Sequence, residues 1–81
     1  MSLVAFASAD PDTARRLETE AASLAGKGDF ASAARKFRDA FAADPRPDLL
    51  CNVGVAYFKG GDGKRAHRYL NQCLSLGGAL D

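Results

Sequence analysis

Apolar residues recur at steps of three and four along most of this chain, which is the spacing of one face of an α-helix. Clusters of glycine or proline interrupt the pattern near positions 26–29, 44–47 and 60–63. The intervals between these clusters lack the alternation of apolar and polar positions that is typical of a half-buried strand. The pattern therefore predicts an all-α fold of four helices joined by short turns.

The first two predicted helices have clear start and stop signals. The first starts in the segment Asp10-Pro11-Asp12-Thr13, because Asp10 is a suitable N-cap and proline loses no helical hydrogen bond in the first turn. The glycine-containing segment at 26–29 ends it. The second begins after Asp29, which is again a suitable N-cap. It ends before Pro45, since the residue that precedes a proline is disfavoured in the helical conformation. These signals predict a hairpin of two helices.

The second half of the chain has the same organisation. A third helix begins at Pro47 or Asp48 and is broken by the glycine-rich segment 60–63. A fourth helix carries an apolar stripe as far as Leu76 and ends before Gly77. A second helical hairpin is therefore predicted after the first.

The two halves align when the chain is shifted by 33 residues, the separation between Leu17 and Leu50. Each copy holds two helices, at about residues 14–46 and 47–78, and a repeat of this length is typical of a helical solenoid. Within the two copies, the same shift also pairs Gly28 with Gly61, Asp29 with Asp62, Ala33 with Ala66 and Arg35 with Arg68.

The spacing of small and aromatic residues in both copies resembles the tetratricopeptide repeat. In the second copy the resemblance is carried by Asn52, Gly54, Ala56, Tyr57, Gly61, Asp62 and Ala66. In the first copy it is carried by Ala21, Leu24, Gly28, Asp29, Phe30, Ala33, Phe37, Ala40 and Pro45. The sequence departs from the family pattern at Leu17, Gly63, His67 and Gly78. The resemblance implies one domain at residues 11–78, in which antiparallel helix-turn-helix pairs stack as a short right-handed solenoid.

The same resemblance implies a non-catalytic module that binds a peptide or a helix of a partner protein in a concave groove. In that family the first helix of each pair lines the groove. The groove residues expected on this basis are Arg15, Glu18, Thr19, Ala22, Cys51, Asn52, Val55, Phe58 and Lys59.

Asn52 is the foremost candidate in this groove, because an amide can both donate to and accept from a peptide backbone. The alternative is that the Asn52 side chain bonds only to its own neighbours. Val55 and Phe58 add apolar surface beside it, which suits a helix or an extended peptide as the partner.

A second function is a structural or oligomerisation element. The fourth helix ends in Leu74, Leu76 and Leu80 without a following helix to cover them, whereas solenoids generally end in polar caps. This apolar end is expected to be covered by another copy of the chain, by a neighbouring protein or by the N-terminal arm at 3–7. A homo-oligomer is therefore an alternative to a peptide complex.

The nearly balanced charge of the chain does not favour nucleic acid as a partner. The chain has 11 basic and 10 acidic residues, so no overall field attracts it to nucleic acid. Lys64, Arg65 and Arg68 form a small basic patch with His67, which is interpreted either as a solvated face or as an anion site. No run of residues is long and apolar enough for a membrane span. The expected partner is thus a protein or peptide.

The residues with reactive side chains do not favour catalysis. Cys51 and Cys73 are too few and too far apart in sequence to be interpreted as a disulfide framework or a zinc site, and Cys73 falls on the predicted buried stripe. A catalytic role would need a convergent polar pocket near Cys51 and His67. No enzyme activity, metal or cofactor is predicted.

The N-terminus allows two interpretations. Residues 1–9 are small and apolar and end in Ala7-Ser8-Ala9, which resembles the end of a secretory leader, but they lack a basic n-region. Residues 1–10 are therefore either a leader remnant or an N-terminal arm, and residues 79–81 are a tail. The first alternative predicts an exported or periplasmic protein, and the second allows a cytoplasmic one.

Overall fold

The computed structural model describes residues 9–79. It contains four helices, α1 (Pro11–Gly26), α2 (Phe30–Ala43), α3 (Pro47–Lys59) and α4 (Gly63–Ser75), and no strand within the described residues. The prediction of an all-α fold with four helices is confirmed. The helix bounds agree with those expected from the capping and proline signals.

An aspartate caps the start of three helices. The carboxylates of Asp10, Asp29 and Asp62 each accept a hydrogen bond from a backbone N–H of the first helical turn. The donors are Thr13 at 3.1 Å, Ser32 at 3.3 Å and Arg65 at 3.1 Å. The third helix has no such side-chain cap and begins with Pro47, which has no N–H that needs a partner.

The turns that follow α1 and α3 have the same backbone geometry. Gly28 and Gly61 occupy the left-handed region at φ 83° and 84°, which a residue with a Cβ rarely adopts. In both turns the next residue, an aspartate, donates its N–H to the carbonyl five positions earlier at 2.9 Å. The pairs are Asp29 with Leu24 and Asp62 with Tyr57. The shift of 33 residues found in the sequence therefore also relates the two turns.

Contacts between helix ends define the direction of each helix. At the start of α1, the Asp10 N–H donates to the Ala43 carbonyl at the end of α2, at 2.8 Å. The end of α3 lies beside the start of α2, where a Cβ at Gly60 would be 3.1 Å from that of Phe30. Helices that are consecutive in sequence pack on each other and run antiparallel. The stacking of the two helix pairs as a right-handed solenoid remains a prediction.

Small residues make up much of the core. Ala21 and Ala33 are fully buried, and Gly54 on α3 is also buried. Tyr57 is 7% exposed, and its ring stacks on that of Tyr69 at a centroid distance of 5.7 Å. The small side chains let the helix axes approach, and the few large ones fill the space beside them. The other buried apolar residues described are Ala14, Ala34, Ala40, Leu49, Leu50, Cys51, Val53, Ala56, Ala66 and Cys73.

Gly54 lies where α3 and α4 approach each other closely. A Cβ built on Gly54 would lie 2.6 Å from Leu70 Cγ and 3.0 Å from the Leu70 backbone nitrogen. Both distances are shorter than van der Waals contact, and the second involves backbone that a rotamer change does not move. A side chain at this position would therefore separate the two helices.

Gly54→Ala is expected to lower the free energy of unfolding by about 1–3 kcal/mol, the usual cost of overpacking a core. Gly26→Ala is the matched control, because a Cβ at Gly26 meets no atom within 4 Å. That change is expected to be neutral or to stabilise by up to about 1 kcal/mol, since alanine favours the helix. Urea unfolding followed by circular dichroism measures both, and equal stability of the two variants would contradict the packing argument.

A disulfide joins Cys51 on α3 to Cys73 on α4. Their Cα atoms are 5.1 Å apart, within the range that a disulfide spans, and both residues are buried. The bond lies at the end of the hairpin opposite the turn at Gly61. The placement of Cys73 in the core is confirmed, whereas the pairing of the two cysteines was not expected from their number and spacing.

Removal of this cross-link is expected to destabilise the fold. The bond closes a loop with a sequence separation of 22 residues, for which the chain-entropy estimate is about 3 kcal/mol. The Cys51→Ala/Cys73→Ala double variant and the reduced wild-type chain should both lose roughly this much in urea unfolding. Reductant should leave the double variant unchanged. Intact mass after alkylation under non-reducing conditions checks the bond itself, and alkylation of both thiols would contradict it.

Candidate peptide-binding groove

An apolar cleft lies where α1, α2 and α3 meet. Its volume is about 260 Å³. The lining residues are Ala22 and Ala25 from α1, Phe30 and Phe37 from α2, and Asn52, Val55, Ala56 and Lys59 from α3. The cleft therefore combines apolar surface with one amide and one ammonium group.

Helical spacing explains how α3 presents its side of the cleft. Asn52, Val55 and Lys59 are separated by three and four positions, which places them on one face of the helix. On α1 the opposing residues are alanines, so little side chain occupies the space between the two helices. Phe37 on α2 is half-buried and packs against the core around Val53. The walls thus come from α1 and α3, while α2 contributes aromatic surface.

Four of the residues expected in a groove line this cleft. They are Ala22, Asn52, Val55 and Lys59. Asn52 and Val55 are half-buried, whereas Ala22 and Lys59 are exposed. The structure therefore brings together the C-terminal part of the predicted α1 face and one face of α3.

The Asn52 amide is available to a ligand. Within residues 9–79 no hydrogen bond joins its side chain to another side chain or to the backbone. An amide carries two N–H donors and one carbonyl acceptor. The interpretation that Asn52 bonds only to its neighbours has no hydrogen bond to support it in the described part of the chain.

Arg15, Glu18 and Thr19 lie nearer the start of α1 and do not line the apolar cleft. Arg15 pairs with Asp12 at 2.6 Å, and the Thr19 hydroxyl donates to the Arg15 carbonyl at 3.0 Å. Arg15 and Glu18 border a separate polar cleft of about 350 Å³ with Pro11, Asp44 and Arg46. Their polar groups are thus already partnered within the chain.

Arg46 connects α1, the turn after α2 and the start of α3 at this polar cleft. Its guanidinium pairs with Glu18 of α1, and it lies 3.4 Å from a carboxylate oxygen of Asp44 and from one of Asp48. Glu18 is therefore engaged in a structural ion pair between the start of α3 and the side of α1. This pairing has no counterpart in the second copy, because the position that corresponds to Glu18 is Cys51.

Cys51 does not belong to the groove face. Its exposed fraction is 2%, and its sulfur is bonded to that of Cys73. The expectation that Cys51 contacts a partner is therefore wrong. Its position on α3 corresponds to a groove position of the family, but here the neighbouring helix α4 covers the Cys51 side chain. In the disulfide state the Cys51 sulfur is also not a thiolate nucleophile.

Phe58 lies outside the cleft lining but is the most exposed large apolar residue described, at 69%. It precedes Lys59, which does line the cleft. A ligand that extends from the cleft along the end of α3 would meet the Phe58 ring. Phe58 therefore remains a candidate contact at the rim.

Sequence reasoning missed four lining residues, namely Ala25, Phe30, Phe37 and Ala56. Their apolar character and helical spacing indicated core positions, and all four are indeed at least half-buried. The signal that could have found them is the pairing of small residues on α1 with large ones on α2. Where small residues of α1 face aromatic residues of α2, a recess remains unless side chains of α3 fill the space.

Metal ligation and membrane insertion have no structural support within residues 9–79. No group of three His, Cys, Asp or Glu side chains there is close enough to hold a metal ion. His67 is exposed on α4 beside Asn71, and its ring nitrogen lies 3.4 Å from the Asn71 amide nitrogen. None of the four helices has the length and apolarity required to cross a bilayer.

Comparison of the sequence with models of protein families and with curated proteins, and of the fold with solved structures, found no match.

Proposed function

We propose that this protein is a non-catalytic interaction module of two tetratricopeptide-like repeats that binds a peptide or a helix of a partner protein. The observation that carries the proposal is the apolar cleft between α1 and α3, which contains the unpartnered amide of Asn52. The repeated turn geometry at Gly28 and Gly61 supports the assignment of two equivalent units.

The size of the cleft favours a peptide over a small molecule. Sites for drug-sized ligands usually enclose about 300–1,000 Å³. At about 260 Å³ this cleft accommodates one anchoring side chain of a longer segment. An apolar anchor would contact Phe30 and Phe37, and the Asn52 amide would bond to the peptide backbone beside it.

The positive charge at the cleft favours a ligand that carries a carboxylate. Lys59 is the one ionisable residue in its lining. A carboxylate placed near the anchor, in the ligand, would pair with the Lys59 ammonium at the rim. Exposed ion pairs contribute up to about 1 kcal/mol, so this contact adjusts specificity and the apolar anchor supplies most of the affinity.

Peptides selected from a displayed library against the whole chain provide the test. Fluorescence polarisation should give an affinity that falls about fivefold for Asn52→Ala, because one hydrogen bond is lost. Val55→Glu should weaken binding more strongly, since it places a charge on the apolar wall. Asn71→Ala is the matched control, an exposed asparagine on α4 outside the cleft, and should leave the affinity unchanged.

Circular dichroism establishes that each of these variants is folded. A selected peptide that binds all folded variants equally would contradict the groove proposal. Loss of binding in Phe58→Ala together with Asn52→Ala would extend the contact surface to the end of α3.

The alternative function is self-association through the apolar end of α4. Leu74 and Leu76 are 56% and 57% exposed, which is high for large apolar residues. Leu76 borders an apolar recess of about 370 Å³ that Phe41 and Leu50 also line. Leu80 and the arm at 3–7 lie outside the described residues. A second copy of the chain would cover this surface by the hydrophobic effect.

Sedimentation equilibrium across a concentration range tests this alternative. Wild-type chain is expected to associate, and Leu74→Glu/Leu76→Glu should weaken association by at least about tenfold because it places two charges in the contact. Phe58→Glu is the control, since Phe58 is exposed on α3 outside this surface. A wild-type chain that is monomeric at all concentrations would rule out the alternative.

The disulfide also bears on where the protein acts. Disulfides persist in oxidising environments such as the periplasm and the cell exterior. We infer that the chain works in such a compartment. Residues 1–8 lie outside the described part of the chain, so the inference rests on the Cys51–Cys73 bond.

A further inference from the structure

A second cleft, of about 410 Å³, lies between α2 and α4 and is lined by arginines. Its lining residues are Ala31, Arg35, Arg38, Tyr57, Gly60, Asp62 and Arg65. Neither Ala22, Asn52, Val55 nor Lys59 of the apolar cleft takes part. We refer to this second site as the arginine cleft.

One acidic residue faces the three arginines, and it is already paired. Asp62 contacts Arg65 at 2.7 Å, and this bond lowers the pKa of the Asp62 carboxyl. The Asp62 carboxylate also accepts the Arg65 N–H as the N-cap of α4. The charge of Asp62 is thus directed to Arg65 and to the helix start, which leaves Arg35 and Arg38 without a carboxylate partner from the cleft.

The remaining contacts of the arginines leave donors free. Arg35 donates to the Ser32 hydroxyl at 2.9 Å. The neighbouring Tyr69 side chain raises the pKa of the Arg38 guanidinium, and Asp39 adds a weaker favourable field. Within residues 9–79, neither Arg35 nor Arg38 has a carboxylate oxygen within 4 Å. A guanidinium has five N–H donors, so each retains several for a ligand.

Helical spacing and small side chains explain how this cleft forms. Arg35 and Arg38 are three positions apart on α2 and therefore lie on the same face. Ala31 and Gly60 leave space at the border of the cleft, because neither has a long side chain. Arg65 lies over the Tyr57 ring at 5.7 Å from its centroid, a cation–π contact that holds it in place.

We propose that the arginine cleft binds a phosphate monoester carried on a partner peptide. Planar guanidinium groups match the oxygens of a phosphate and form paired hydrogen bonds with it. A phosphorylated side chain carries about two negative charges near pH 7, which complements Arg35 and Arg38 together. The site is distinct from the apolar cleft, so it does not depend on the proposed groove function.

Nucleic acid is a weaker explanation for the same residues. Phosphodiester recognition relies on a basic stripe that follows several phosphates. Here the net charge is +1, and the basic side chains of the cleft surround a single recess. A phosphate on one side chain fits this arrangement better than a polymer of phosphates.

The test uses the whole chain with its disulfide intact, in buffer of about 50 mM ionic strength to limit screening. The probes are a phosphoserine peptide, its unphosphorylated form and inorganic phosphate, and amide chemical shifts follow each titration. Shifts are expected on α2 and α4 around Arg38 and Arg65. The phosphopeptide should bind at least about tenfold more tightly than its unphosphorylated form.

Arg35→Gln and Arg38→Gln should each weaken phosphopeptide binding about five- to tenfold, since a charge-assisted hydrogen bond is lost. Arg16→Gln is the matched control: it removes the same charge from an exposed arginine on α1 and should change the affinity less than twofold. Arg35 and Arg38 are both exposed, so these variants are expected to fold, and circular dichroism verifies it.

The titration with inorganic phosphate distinguishes a phosphopeptide ligand from a free phosphate ligand. Binding as tight as that of the phosphopeptide would identify a free phosphate as the ligand and overturn the peptide part of the proposal. Tighter binding of a single-stranded oligonucleotide would overturn it in favour of nucleic acid. Equal effects of Arg38→Gln and Arg16→Gln, or no shifts on α2 and α4, would overturn the site itself.

Discussion

The close approach of neighbouring helices is the constraint on which the rest of this structure depends. Ala21 and Gly54, at equivalent positions of the two copies, are both buried where a larger side chain would separate the helices. Gly54 lies directly beneath Leu70, so the hairpin of α3 and α4 has no room to adjust. An 81-residue chain buries only a limited apolar area, and dense packing of small residues is how this one gains a continuous core.

This constraint also determines where recesses form. Small residues that line α1 on the side facing α3 leave the apolar cleft, and Ala31 with Gly60 leaves the arginine cleft between α2 and α4. The two clefts differ in chemistry because α1 and α3 present an amide and apolar groups, whereas α2 and α4 present guanidinium groups. One helical framework therefore contains two separate clefts with different chemistry.

Much of the fold could be predicted from sequence because its signals are local. Asp29 before α2 and Pro45 after it specify that helix without reference to the rest of the chain. The groove was predicted only partly. Cys51 occupies an expected groove position, but its side chain is bonded to Cys73, and that pairing depends on how α4 lies against α3. The free N–H donors of Arg38 could not be predicted from sequence either, because they depend on which carboxylates the fold places near that side chain.

The disulfide gives the two hairpins different denatured states. Residues 51–73 form a covalent ring whose ends remain together when the helices melt, whereas the first hairpin opens into an ordinary flexible chain. The equivalent positions in the first copy are Glu18 and Ala40, which have no such bond. Although the two copies share their turns and caps, heat or denaturant thus acts on a linear first hairpin and on a second hairpin that contains a covalent ring.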